Sequence, residues 1–140
     1  MIKTFLALLA AALPLLAHAA DDPLQAERWK TRPLIVLAAT ADDPLLARVQ
    51  AALQEPANRE AFVERDMVLY TVVGQQGRRN DQPLDTIATK RLLLALDAGS
   101  SRPQVILVGK DGGKKIQDGA DADLQAIFST IDRMPMRQGE

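Results

Sequence analysis

Four short stretches of this chain carry residue types that could do chemistry. Asp42-Asp43 sets two carboxylates side by side, a pair that could serve as general acid and base or hold a cation. Adjacent side chains seldom converge on one substrate, however, and an aspartate directly before Pro44 is also the residue type that caps a helix. Arg78-Arg79 lies in a polar stretch and could grip an anion, although paired arginines on a loop are more often simply solvated. "GKDGGKK" (109–115) resembles a phosphate cradle, and "DGADAD" (118–123) hints at calcium. Both of these fail on spacing. A phosphate loop needs G-x-x-x-x-G-K-[ST] between a strand and a helix. Counted from Gly109, the second glycine position falls on Lys114, and the chain continues as a strand pattern. The calcium loop needs D-x-[DN]-x-[DN]-G, which the acidic stretch lacks.

Two absences narrow the chemistry further. The chain has no cysteine, and its one histidine is His18. Beyond that residue there is neither thiol nor imidazole, so thiol–disulfide exchange, thiol peroxidase chemistry and Ser–His or Cys–His nucleophiles are excluded. Zinc sites built on Cys and His are excluded with them. No cofactor and no metal is expected.

"MIKTFLALLAAALPLLAHAA" has a basic residue, an apolar run and small residues at Ala17 and Ala19. This pattern predicts a secretory signal over residues 1–19, cleaved after Ala19, and a periplasmic or secreted protein. Cleavage removes Lys3 and leaves 16 basic against 18 acidic residues, a formal charge of −2. So balanced a charge predicts no binding to nucleic acid or an anionic membrane. The remaining 121 residues fit one domain, without a membrane span and expected as a monomer.

The elements that would position these residues follow from periodicity. Residues 20–32 read as a lead-in with one helical turn, and Trp29 is expected to pack on the domain. "PLIVLAA" (33–39) and "MVLYTVV" (67–73) are continuous apolar runs of the kind found in strands covered on both faces. Between them, Asp43 and Pro44 open one helix and Asn58 caps a second that carries Phe62. "GQQGRRNDQP" (74–83) reads as an irregular polar loop. The next helix places Leu84, Ile87, Ala88, Leu92 and Ala95 on one face. "QVILVG" is a third buried strand, and Asp-Gly-Gly then turns a hairpin into the polar strand "KKIQ". A last helix, capped near Asp121, presents Leu124, Ile127, Phe128 and Ile131 before Pro135 ends it. The main domain spans 33–134 and a tail follows over 135–140; Met134 and Met136 of "MPMRQGE" are expected to dock on the domain. The order is β-α(α)-β-α-β-β-α, an α/β/α sandwich on a four-stranded mixed sheet.

Four segments carry a family resemblance: "RWKTRPLIVLA" (28–38), "ERDMVLYTVVG" (64–74), "VILVGKDGGKK" (105–115) and "IDRMPMRQGE" (131–140). With the element order, they make the chain resemble a thioredoxin-like family of unknown function, related to peroxiredoxins. That family occurs in exported bacterial proteins and as repeats in a vertebrate secreted matrix protein linked to tumour suppression. The resemblance implies the thioredoxin fold and no defined activity. It places the ancestral redox position at Thr40-Ala41-Asp42-Asp43, where aspartates replace the thiol. It also implies a cis peptide at Arg102–Pro103 facing that position. Thr40, Asp42, Asp43, Arg102 and Pro103 thus form the candidate binding cleft. The expected role is a redox-inactive interaction module for an envelope protein or small ligand. The alternative is a non-thiol enzyme or small-ligand-binding protein using the cleft near Thr40, Asp42 and Pro103.

Overall fold

Strand β1 (Arg32–Ala38) is buried at every residue, and its pleat divides the interior in two. Leu34, Val36 and Ala38 face one apolar cluster, while Ile35 and Leu37 face the other. A strand with both faces covered reads as an unbroken apolar run rather than an alternation. The computed structural model describes residues 22–140; the secretory signal expected over 1–19 lies outside the described residues.

The elements in order are α1 (Pro23–Glu27), β1, α2 (Pro44–Gln54), α3 (Pro56–Glu64), β2 (Met67–Val73), β3 (Gln76–Arg79), β4 (Gln82–Pro83), α4 (Thr86–Leu96), β5 (Gln104–Val108), β6 (Lys114–Asp118), α5 (Leu124–Asp132) and α6 (Pro135–Gln138). One mixed sheet runs β4-β3-β2-β1-β5-β6. β1 pairs in parallel with β2 and antiparallel with β5, and β5 pairs antiparallel with β6. Residues of α2, α3 and α5 pack on one face of the sheet, and residues of α1 and α4 on the other.

The sheet therefore has six strands, not four. The two additional strands arise from 74–83, which the sequence presents as a loop. Gly74 at φ +60° and Asn80 at φ +51° sit at the two ends of β3, which lies antiparallel to β2. β3 and β4 are polar and mostly exposed, so they lack the apolar signal of an inner strand. Gly77 serves a second need. A Cβ there would stand 2.6 Å from the Thr89 hydroxyl and 3.2 Å from Leu84, so its absence lets α4 lie close on the sheet.

Several helix details also differ. Asn58 does not cap α3; its Nδ2 donates to the Ala52 carbonyl at 2.9 Å and so finishes α2 instead. Asp123, rather than Asp121, caps α5 by accepting from the Gln125 amide. On α4 the buried residues are Thr89, Leu92 and Leu96, whereas Ile87 is 59% exposed. Thr89 can be buried because its hydroxyl donates to the Asp85 carbonyl at 2.9 Å, which rotates the stripe away from Ile87. The expected face of α5 is observed: Leu124, Ile127, Phe128 and Ile131 are all buried.

Trp29 does not pack on the domain. It is 64% exposed, at φ +66°, because its backbone amide is committed to the Lys110 carbonyl at 2.7 Å. Of the two methionines near α6, Met134 packs against the core and Met136 stays 46% exposed. Among the described residues, no helix is long and apolar enough to cross a membrane.

Candidate functional site

The aspartate pair sits where β1 gives way to α2. Asp43 accepts from the backbone amides of Leu45 (2.9 Å) and Leu46 (3.2 Å), so its carboxylate is occupied as the helix cap. Asp42 is exposed and accepts from the Thr40 hydroxyl at 2.6 Å. That hydrogen bond lowers the Asp42 carboxyl below its ordinary value, which makes it a weaker general base near neutral pH. Arg102 spends its guanidinium on the carbonyls of Gly99 (3.1 Å) and Ser101 (2.7 Å). The Arg102–Pro103 peptide is cis. Among the described residues, no hydrogen bond joins Arg102 to Thr40, Asp42 or Asp43. The five residues therefore do not form one bonded constellation.

The other motifs resolve in the same way. In the 109–115 hairpin, Lys115 pairs with Asp111 at 2.9 Å and Lys110 with Asp66 at 2.9 Å, while Lys114 donates to the Leu96 carbonyl at 2.8 Å. Gly112, at φ +86°, lies under the Arg28 side chain. These lysines tie the turn to its surroundings and form no phosphate cradle. Arg65 donates through Nε and a terminal nitrogen to both oxygens of Asp132, at 2.9 and 2.8 Å. Glu64-Arg65-Asp66 therefore supplies ion pairs. Among the described residues, no cluster of three His, Cys, Asp or Glu could hold a metal.

Arg78 and Arg79 part company, as neighbours on a strand must. Arg79 Nε donates at 2.6 Å to Oε1 of Glu27, which also accepts from the Tyr70 hydroxyl at 2.8 Å; Oε2 accepts from the Thr31 hydroxyl. Glu27 is only 5% exposed. Burial pushes its carboxyl up, but the hydrogen bonds from Arg79, Thr31 and Tyr70 together hold it below its ordinary value. This buried acid joins α1 to β2 and β3.

Arg78 points to the opposite face and lines an open groove of about 970 Å³. The groove lies between the α2–α3 pair and the sheet beyond β1. Leu69, Thr71 and Val73 of β2 contribute alternate side chains to it, and Leu53, Phe62 and Val63 add apolar surface. Four carboxamides, Gln50, Gln54, Gln76 and Asn80, line it together with Arg59 and Arg78. None of these carboxamides stands out in the sequence. The legible traces are Gln50 and Gln54 four apart on a helix, Gln76 and Arg78 two apart on a strand, and Thr71 inside an apolar run. A site assembled from four elements has no local motif.

The described fold and its groove lie within one family match. The family described as Domain of unknown function (DUF4174) matches residues 23–140, and the chain belongs to it. No curated protein matches the chain.

Proposed function

We propose that this member of the DUF4174 family is an exported thioredoxin-like binding module without thiol chemistry, whose groove over β2 and β3 receives an extended segment of a partner protein. The observation that carries this reading is the lining of the groove. Four carboxamides line it; the Gln54 and Asn80 oxygens already accept from Arg59 (3.4 Å) and the Leu69 amide (3.3 Å), which leaves amide donors and further lone pairs of the kind a peptide backbone uses, around an apolar floor that takes side chains. Two arginines in the lining against one acid, Asp81, favour a segment with acidic residues. The thioredoxin-like relationship is supported by the inner strand order β2-β1-β5-β6, in which β1 and β2 run parallel, β5 runs against β1, and β6 runs against β5. Export to the cell envelope is supported by the signal pattern of the first 19 residues.

A second reading, a small ligand or substrate held near Thr40, Asp42 and Pro103, has one observation in its favour: the exposed Thr40 hydroxyl and Asp42 carboxylate stand 2.6 Å apart. One experiment separates the two. Purified protein is screened against a library of extended peptides, and hits are titrated with Val73→Arg, with Gln54→Ala/Asn80→Ala and with Thr40→Ala/Asp42→Ala. The groove reading expects a loss of about tenfold or more, ~1.4 kcal/mol, from the groove substitutions alone. Affinity that follows Thr40 and Asp42 instead would transfer the function to the second site, and peptides bound equally by all variants would refute both.

A further inference from the structure

A second recess lies at the N-terminal end of β1. Arg32 is 1% exposed, and a buried guanidinium needs an anion to offset the loss of its hydration. One of its nitrogens donates to the Arg65 carbonyl at 2.9 Å. The other terminal nitrogen donates to Oε1 of Glu140 at 2.8 Å, and the first also reaches Oε2 at 3.4 Å. Lys110 reaches Oε1 at 2.7 Å, and Arg137 reaches Oε2 at 3.1 Å. One carboxylate is thus held by three cations. Lys110 and Arg137 also have Asp66 and Glu64 as acidic partners. Among the described residues, Glu140 is the one acidic partner of Arg32.

The carboxylate on this site stays partly open to solvent, with its side chain 26% exposed. Glu140 is carried beyond the four-residue helix α6, which has no buried residue and is held through Arg137, paired with Glu64 at 2.9 Å. Beside it opens a recess of about 540 Å³ that reaches Arg32 and Lys110. Its wall also presents Arg133, Met134 and Met136, a cation next to apolar surface.

We propose that Arg32, Lys110 and Arg137 form a carboxylate-binding site which Glu140 occupies as an intramolecular ligand, and that an external carboxylate entering through the adjoining recess displaces it. The chemistry favours a carboxylate because Arg32 and its two companions bond both oxygens of one planar group. The apolar wall suits the carbon skeleton behind it. The source is a small dicarboxylate or an acidic side chain of a peptide; both present the same group. This site shares no residue with the groove over β2 and β3, so it stands or falls independently of the function proposed above.

An internal ligand on a short tether competes at an effective concentration of roughly millimolar. Removing it must therefore strengthen binding of a competitor. Succinate and a neutral-capped Gly-Glu-Gly peptide are titrated calorimetrically into the protein and into Glu140→Ala, with chloride as the control anion. Trp29, the only tryptophan, reports in parallel because its amide is bonded to the Lys110 carbonyl at 2.7 Å. Glu140→Ala is expected to bind at least one carboxylate about tenfold tighter or more, and the probe with the larger gain identifies the source. Adding Lys110→Met must abolish the gain. If Glu140→Ala folds only when carboxylate is supplied, that rescue also supports the site; if it does not fold at all, Glu140→Gln carries the same titrations. Equal affinity with and without Glu140, no binding to the charge-deleted variant, or a gain that survives Lys110→Met would each overturn the proposal and leave a structural ion-pair cluster only.

Discussion

Glu27→Ala tests how the molecule holds its first helix to the sheet. The wild-type carboxylate accepts three side-chain hydrogen bonds, from Tyr70, Arg79 and Thr31. Tyr70 is 1% exposed, so its hydroxyl loses its acceptor in a place water reaches poorly, a cost of ~1–3 kcal/mol. Arg79 is different: its side chain is 43% exposed and can turn to solvent, so its lost ion pair adds ~0–1 kcal/mol. Together these give a destabilisation of about 1–4 kcal/mol. Urea unfolding at neutral pH measures it as a lower midpoint with an unchanged slope. Tyr70→Phe, made alone and in the Glu27→Ala background, closes a cycle whose coupling is expected at ~1–2 kcal/mol. The pH dependence has a definite sign. The folded carboxyl of Glu27 lies below its ordinary value of 4.5. Its contribution is therefore complete above that value and disappears as the pH falls through the lowered one. A loss under ~0.5 kcal/mol, or strict additivity with Tyr70→Phe, would refute the reasoning that Glu27 is the acceptor on which this network depends.

Four further outcomes are expected. Asp43→Ala removes the two amide bonds that cap α2 and should cost ~1 kcal/mol in the same urea assay, which fits a cap and not a catalytic group. Gly77→Ala drives a methyl to 2.6 Å from the buried Thr89 hydroxyl and should cost ~1–3 kcal/mol by overpacking; a neutral result would mean α4 can retreat from β3. The Glu140 carboxyl is held at about 2 against an ordinary 4.5 by hydrogen bonds from Arg32 and then Lys110, so its stabilisation is full above pH 4.5 and is lost between there and about 2, an acid arm that Glu140→Gln should flatten. Insulin reduction by the purified protein should stay at the buffer rate, since the chain has no thiol.

The inner part of the fold was legible in the sequence because burial on two faces leaves a continuous apolar record. β1, β2 and β5 and the apolar face of α5 all follow from that record, and Asp43-Pro44 marks the start of α2 by cap chemistry alone. The edge was not legible. β3 is held by backbone pairing to β2 and by Gly77 under α4, and β4 by pairing to β3; none of these causes leaves an apolar periodicity. α4 misled for a related reason: a threonine whose hydroxyl is satisfied by its own helix is buried as readily as an isoleucine. Of the candidate cleft residues, Asp43 and Arg102 are taken up by local hydrogen bonds, while Thr40 and Asp42 stay exposed. The groove was invisible because four elements each supply it with two to five residues of ordinary type.

Buried charge, rather than motif, distinguishes the two places where this chain departs from a plain apolar sandwich. Most of its ion pairs have a well-exposed acid, such as Arg65 with Asp132 at 46% exposure, and pairs of that kind contribute ~0–1 kcal/mol each. Glu27 and Arg32 are the exceptions, at 5% and 1%. A buried charge is costly unless its partners are permanent, and here the two differ. Glu27 is enclosed by a tyrosine of β2, an arginine of β3 and a threonine four residues along its own chain, and the buried Tyr70 hydroxyl cannot leave it without opening the sheet. Arg32 relies on Glu140, an exposed residue beyond a four-residue helix with nothing buried, beside a recess open to solvent. Structural economy alone would place the anion on a rigid element, as it does for Glu27. A partly exposed anion beyond so short a helix, beside an open recess, is the arrangement expected where the partner is exchanged, and this is why the carboxylate site is proposed at Arg32 and not at Glu27.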